Sequence, residues 1–204
     1  MDTKTLTQED ILHFLRQLAF RNYDNPFVAA SEKAYLDFCR TIRFFKAETP
    51  LTNEQSDRRQ NVKDSISAMI QNRIELLSQS DVNKESFDVW HTEICETIIE
   101  MFSSEATLLY GQAQKWINMS MKYLLSLDNK AVINLIPWLH VPIDNNILTT
   151  AYDQLGIPIP LKRWSRWNKN DYLTYQSKLI QSINSIFQKI HPIIWEMRTW
   201  QPNE

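Results

Sequence analysis

Tyr110-Gly111-Gln112-Ala113-Gln114-Lys115-Trp116-Ile117-Asn118-Met119-Ser120-Met121-Lys122-Tyr123-Leu124-Leu125 is the stretch that decides the fold class. Tyr110, Ala113, Ile117, Met121 and Leu124 recur at intervals of three and four, which lines them up along one face of an α-helix. Gln114, Lys115, Asn118 and Lys122 fall on the opposite side and contain no acid. That side is expected either to face a phosphate or carbonyl group or to be an ordinary wet surface. The same helical period returns along the whole chain, and no segment sustains the period-2 alternation of a half-buried strand.

Working outward, Thr7 and the acids Glu9 and Asp10 signal a helix start through capping and first-turn charge. Ile11, Leu12, Phe14, Leu15 and Leu18 follow as its expected buried stripe, and the polar run from Asn22 to Pro26 ends it. A second helix is expected from Ala29 to Phe45, burying Tyr35, Leu36, Cys39, Ile42 and Phe45. Pro50 and Leu51 mark a loop. A third helix follows Asn53, with Val62, Ile66, Met69, Ile70, Ile74 and Leu77 inward. The fourth runs over about Lys84 to Phe102 and buries Phe87, Trp90, Ile94, Ile98 and Met101, and the fifth spans about Ala106 to Leu125. Asp144 caps a short helix that Gly156 terminates. Ile157 to Pro160 is extended, because each proline pushes its predecessor out of the helical region. A last long helix runs from about Asn170 to Ile190 and is interrupted or restarted at Pro192. The expectation is an all-α single domain over residues 1–204, an array of about seven helices.

Composition excludes several function classes. The chain of 204 residues has two glycines, Gly111 and Gly156. A phosphate-binding P-loop needs two glycines in a short span and a dinucleotide fingerprint needs three, so neither site can be built. The two cysteines, Cys39 and Cys95, form no framework and fit a reducing compartment. The polar, acidic start is no secretory signal, and the apolar run Ala131 to Leu139 is about half a membrane span. A cytoplasmic location with no membrane partner is expected. The formal charge of −2 hides an asymmetry, since residues 160–204 hold seven cations and three acids while residues 81–105 hold seven acids and one lysine. Such a chain either presents a basic face to a polyanion or pairs its own halves.

Four constellations bear chemistry. His91 and Cys95 share a helix face at a spacing that suits two metal ligands, yet a buried cysteine beside a histidine explains them as well. We expect no metal and no cofactor. Asp88, Glu93, Glu96 and Glu100 are carboxylates on one helix, read as an acid–base pair or as a solvated acidic face. Lys162, Arg163, Trp164, Arg166, Trp167 and Lys169 lie in one acid-free loop. Cations that neutralise phosphates and indoles that stack on unpaired bases would suit nucleic acid. The other reading packs Trp164 and Trp167 onto the core and leaves the cations in water. The fourth sets the polar side of the opening stretch, Gln114, Lys115, Asn118 and Lys122, beside the later word His140-Val141-Pro142-Ile143-Asp144. An N-cap carboxylate is held in one rotamer and kept ionised by backbone N–H groups, which suits it to a cationic transition state or simply to capping.

The words GQAQKWINMSMKYLL and HVPIDNNIL resemble those of a group of uncharacterised bacterial helical proteins. The pair is also distantly similar to the helix-hairpin-helix DNA glycosylases, above all their archaeal 8-oxoguanine branch. The likeness covers roughly residues 108–156, a quarter of the chain. It implies that Lys115 attacks the sugar C1′ and that Asp144 assists and steadies the developing cation. The glycine-rich hairpin that grips the DNA backbone in most of that superfamily has no counterpart here. DNA is the partner so implied, with Gln114, Asn118, Lys122 and the basic tryptophan loop as expected contacts. The alternative is a non-enzymatic helical protein that binds a protein partner or itself, to which the wealth of Trp and Tyr is suited.

Overall fold

In the computed structural model, which describes residues 5–20, 24–45 and 52–201, the helix-period stripes become nine α-helices and one 3-10 turn. They are α1 (Gln8–Phe20), α2 (Pro26–Cys39), α3 (Asn53–Ser78), α4 (Lys84–Met101), α5 (Tyr110–Ser126), α6 (Lys130–Ile133), α7 (Asn145–Leu155), the 3-10 turn Trp164–Arg166, α8 (Lys169–Ile186) and α9 (Pro192–Thr199). The protein is all-α. Among the described residues the sole β pairing is an isolated bridge between Phe44 and Ala106. The count exceeds the expected seven because the four-residue α6 forms in the stretch read as irregular and Pro192 starts α9 as a helix of its own. Asn22, Pro50 and Leu51, read above as chain breaks, lie outside the described residues.

α5 is the axis on which the rest is hung. Fourteen of its 17 residues are buried, so it has no wet side at all. That corrects the expected polar face: Gln114, Lys115, Asn118 and Lys122 are inside, each with a partner. The reason is that α2, α4, α8 and the 3-10 turn pack around α5 from several directions. A helix enclosed in this way must satisfy its polar groups within the protein. Trp116 Nε1 donates to Ser31 on α2, and Ser31 in turn bonds Ser67 on α3.

Two ends differ from the sequence expectation for visible reasons. α2 stops at Cys39 rather than Phe45, because Thr41 folds back to bond the Phe38 carbonyl through both its N–H and its hydroxyl. The chain then straightens so that Phe45 N–H reaches Glu105 O, leaving Phe45 exposed; Leu36, within α2, is exposed as well. α5 starts at Tyr110 rather than Ala106, where Gln112 accepts from Leu109 N–H and donates to Thr41 O. α1 is the larger correction: none of its residues is buried, and the stripe Ile11, Leu12, Phe14, Leu15 and Leu18 faces outward.

α7 forms as its cap-to-cap pattern predicts, with Asp144 accepting from Ile147 N–H and Gly156 closing the helix at φ 66°. Before it, residues 139–143 carry no regular secondary structure. Gln114 donates to Ile143 O and accepts from Ile143 N–H, while Gln176 on α8 does the same for Val141. Two side-chain amides thus act as the neighbouring strands this segment lacks. They fix the height at which Asp144 emerges beside α5.

Candidate functional site

Lys115 lies in the first half of α5 and Asp144 at the start of α7, and folding brings them into direct contact. Lys115 Nζ donates to Asp144 Oδ2, while Asp144 Oδ1 stays bound to Ile147 N–H at 3.0 Å. Lys115 is 8% exposed at its side chain and Asp144 23%, so the amine is deep and the carboxylate partly wet. Both line a cleft of about 500 Å³ whose walls include Tyr123, Trp164, Glu196 and Trp200.

A second ion pair lies behind the first. Lys122, two turns along α5, donates to Glu196 Oε1 on α9 at 2.6 Å, with both side chains nearly sealed. Burial pushes the Glu196 carboxyl up; Lys122 pulls against that rise, the Asp144 charge adds to it and Lys115 opposes it. The four groups therefore act on one another as an alternating cluster. Glu196 Oε2 is buried and has no hydrogen-bond partner among the described residues. Aromatic rings close the cluster off: Lys115 Nζ is 6.0 Å from the Trp164 ring centroid and Lys122 Nζ is 5.1 Å from that of Trp200. At the cleft's other wall Tyr123 OH donates to Asp37 at 2.6 Å, and burial followed by that bond raises its pKa.

Gly111 is what lets Trp164 reach this place. A Cβ on residue 111 would lie 1.9 Å from the Trp164 carbonyl oxygen, and Gly111 N–H bonds Trp167 O at 3.0 Å. The 3-10 turn therefore rests directly on the first turn of α5. Trp164 Nε1 is held by Asn145 Oδ1 at 3.1 Å, which ties the turn to α7 as well.

The other expected contacts sort differently. Trp167 is buried against Tyr175 and donates to Lys162 O, so it anchors the loop and offers no face to a base. Trp164 is buried too, as part of the cleft wall. Lys162 pairs with Asp171 and Lys169 with Glu96, the latter joining the basic C-terminal part to the acidic helix. Arg163 and Arg166 are exposed. Gln114 is taken up by the Ile143 backbone, and Asn118 by His91, Gln114 and Tyr172. Neither faces a ligand, which corrects their assignment as nucleic-acid contacts. Their amides are needed to satisfy the core.

His91 and Cys95 are likewise interior, with Sγ 3.8 Å from Nδ1. Burial holds the imidazole well below its usual pKa and pushes the thiol up, so both stay neutral and the pair supplies no thiolate. Glu93, Glu96 and Glu100 form the solvated face that was one of the two expectations. Asp88 instead bonds His140 Nε2 at 2.8 Å. Glu196, Tyr123, Asp37 and Trp200 went unread in the sequence. Only Glu196 carries a signal, as the single acid in the apolar run Ile193 to Met197. Comparison with protein-family models, with curated proteins and with solved structures finds no match.

Proposed function

We propose that the chain acts on DNA as a glycosylase with lyase activity, using Lys115 as nucleophile and Asp144 as its electrostatic partner. The observation that supports the reading is the placement of these two groups in contact on the wall of one cleft, with tryptophans beside them. A buried amine next to a fixed carboxylate is what attack on a sugar carbon calls for.

In the reaction Asp144 takes a proton from the Lys115 ammonium. The freed amine bonds to C1′ of an extruded nucleotide, and the base departs with the electron pair of the glycosidic bond and the proton that Asp144 had taken, which restores the carboxylate. The sugar ring then opens, the amine nitrogen giving one of its two protons to O4′ as the C1′–O4′ bond breaks, which leaves a protonated imine joined to Lys115. As positive charge grows at C1′, the Asp144 carboxylate stabilises it from a position its helix cap already fixes. An extruded base needs an apolar, aromatic pocket with a few polar groups to orient it. Trp164, Trp200 and the unpartnered Glu196 Oε2 supply those elements here. Arg163, exposed next to Trp164, and Arg40 at the cleft suit the phosphates on either side.

The test is borohydride trapping on duplex DNA carrying an abasic site or an oxidised base. A covalent adduct with the wild-type chain that disappears in Lys115→Ala is expected, with DNA binding that weakens as salt rises. No adduct and no salt-dependent binding would remove the reading.

A further inference from the structure

Among the described residues two buried side-chain oxygens lack a hydrogen-bond partner, Tyr175 OH and Glu196 Oε2. An unmet buried oxygen is costly, above all on a charged group, so each calls for a reason. Tyr175 packs on Trp167 and is no part of the cleft wall, whereas Glu196 is. Three carboxylates line that cleft. Asp144 has one oxygen on Lys115 and the other on Ile147 N–H. Asp37 accepts from Tyr123 OH at one oxygen and faces Arg40 at 3.8 Å with the other. Of the three, Glu196 keeps an oxygen that nothing claims, while Lys122 holds its Oε1 at 2.6 Å. The charges of Asp144 and Lys115 both act on the Glu196 carboxyl, so it stands close to where a bond to Lys115 would form.

We propose that Glu196 is the base of the lyase step, which cleaves the strand once the imine has formed. The inference rests on the glycosylase reading and supplies a step it leaves open, the removal of the proton on C2′, next to the carbon that Lys115 holds. With the nucleobase gone from the cleft, Oε2 takes that proton. The C2′–H electron pair becomes a C1′=C2′ double bond, and the C1′=N pair moves onto nitrogen. The nitrogen then returns its pair, the double bond shifts to C2′=C3′, and the 3′ phosphate leaves with the electrons of the C3′–O bond. The unsaturated imine stays on Lys115 until water releases it, and Glu196 carries the proton. Asp144 meanwhile faces the imine nitrogen and balances its charge. Burial makes the Glu196 carboxylate a stronger base than an exposed one, while the bond from Lys122 favours its ionised form. Trp200, 47% exposed at the end of α9 with its ring 5.1 Å from Lys122 Nζ, is the part of the wall that turns aside to uncover Oε2.

Duplex DNA with a preformed abasic site tests the step apart from base removal, since it offers no base for Glu196 to orient. The wild-type chain should give both a borohydride-trapped adduct and strand cleavage. Glu196→Gln should keep the adduct and slow cleavage more than about a hundredfold, the scale of a general base. Lys122→Met/Glu196→Gln, which strands no charge, should show the same split and so separates loss of the base from damage to the fold. Variants that trap and still cleave at the wild-type rate overturn the proposal and leave Lys115 its role. Loss of adduct and cleavage in equal measure in both variants also overturns it, because Glu196 then serves binding or the fold. A wild-type chain that forms no adduct removes the glycosylase reading, and this step with it.

Discussion

Asp144 holds Lys115 with one carboxylate oxygen and the first turn of α7 with the other. The two bonds are separable by substitution. An asparagine side chain in this place would keep an oxygen for Ile147 N–H, since asparagine caps helices about as well as aspartate. Asp144→Asn is therefore expected to leave the cap intact and abolish imine trapping. Asp144→Ala loses the cap too and should be less stable than Asp144→Asn by about 1 kcal/mol. Urea unfolding of the two variants beside the trapping assay separates the roles, and equal stability would mean that the cap contributes nothing.

Gly111 leaves no room for a Cβ, which would lie 1.9 Å from the Trp164 carbonyl oxygen. Gly111→Ala puts a methyl group into backbone, which cannot swing aside as a side chain can, so the 3-10 turn must lift. A loss of about 2–3 kcal/mol is expected, the upper range for overpacking. Trp164 fluorescence should shift as its ring leaves the cleft wall. A variant as stable as the wild type would show that the turn moves freely.

The helix content was legible because period 3.6 is a local property, and most of the α3 and α4 stripes are buried as their spacing says, with Val62, Met69 and Met101 only partly so. Surroundings were not. α5 and α1 have equally plain amphipathic patterns, yet α5 is enclosed and α1 has no fully buried residue, with Phe20 only partly packed on the core. The difference lies in partners far along the chain: Gln114 is satisfied by Ile143 and Lys122 by Glu196, 74 positions away. A polar side chain looks wet in sequence whether water or a distant partner satisfies it. Asp144 was found through its cap signature, a local feature. Trp200 and Tyr123 have no such feature: Tyr123 lies on α5 itself, and Trp200 reaches the cleft because Glu196 and Lys122 hold α9 against α5.

Lys122 and Glu196 are both buried, so removing one charge strands the other. Lys122→Met is expected to cost about 3 kcal/mol. Losing Lys122 removes the pull that opposes burial, so the Glu196 pKa rises further. A carboxyl whose folded pKa lies above its unfolded value contributes stability at low pH and loses it as pH rises through the folded value. The deficit of Lys122→Met should accordingly be larger at about pH 8 than at about pH 5, and Lys122→Met/Glu196→Gln should recover part of it. Denaturant midpoints at the two pH values decide this. A deficit independent of pH would mean that the lost packing of the lysine stem, and not the stranded carboxylate, sets the cost.

Asp88 behaves in the opposite sense. Desolvation would raise its pKa, but hydrogen bonds from His140 and Lys84 outweigh that and hold it at about 2. A carboxylate held below its unfolded value contributes stability above the unfolded pKa, and that contribution is lost as pH falls through the folded one. The window is therefore from about pH 4 to about pH 2, and with partial solvent screening the amount is about 1–2 kcal/mol. Asp88→Asn removes the titration while keeping an oxygen for His140 Nε2, so its stability curve should be flatter than the wild type's across that window. His140 Nδ1 is hydrogen-bonded to Tyr172, which Asn118 also reaches, so the same substitution reports on the network behind α5. If the two curves run parallel below pH 4, the His140 and Lys84 bonds do not favour the ionised form of Asp88 over its protonated one.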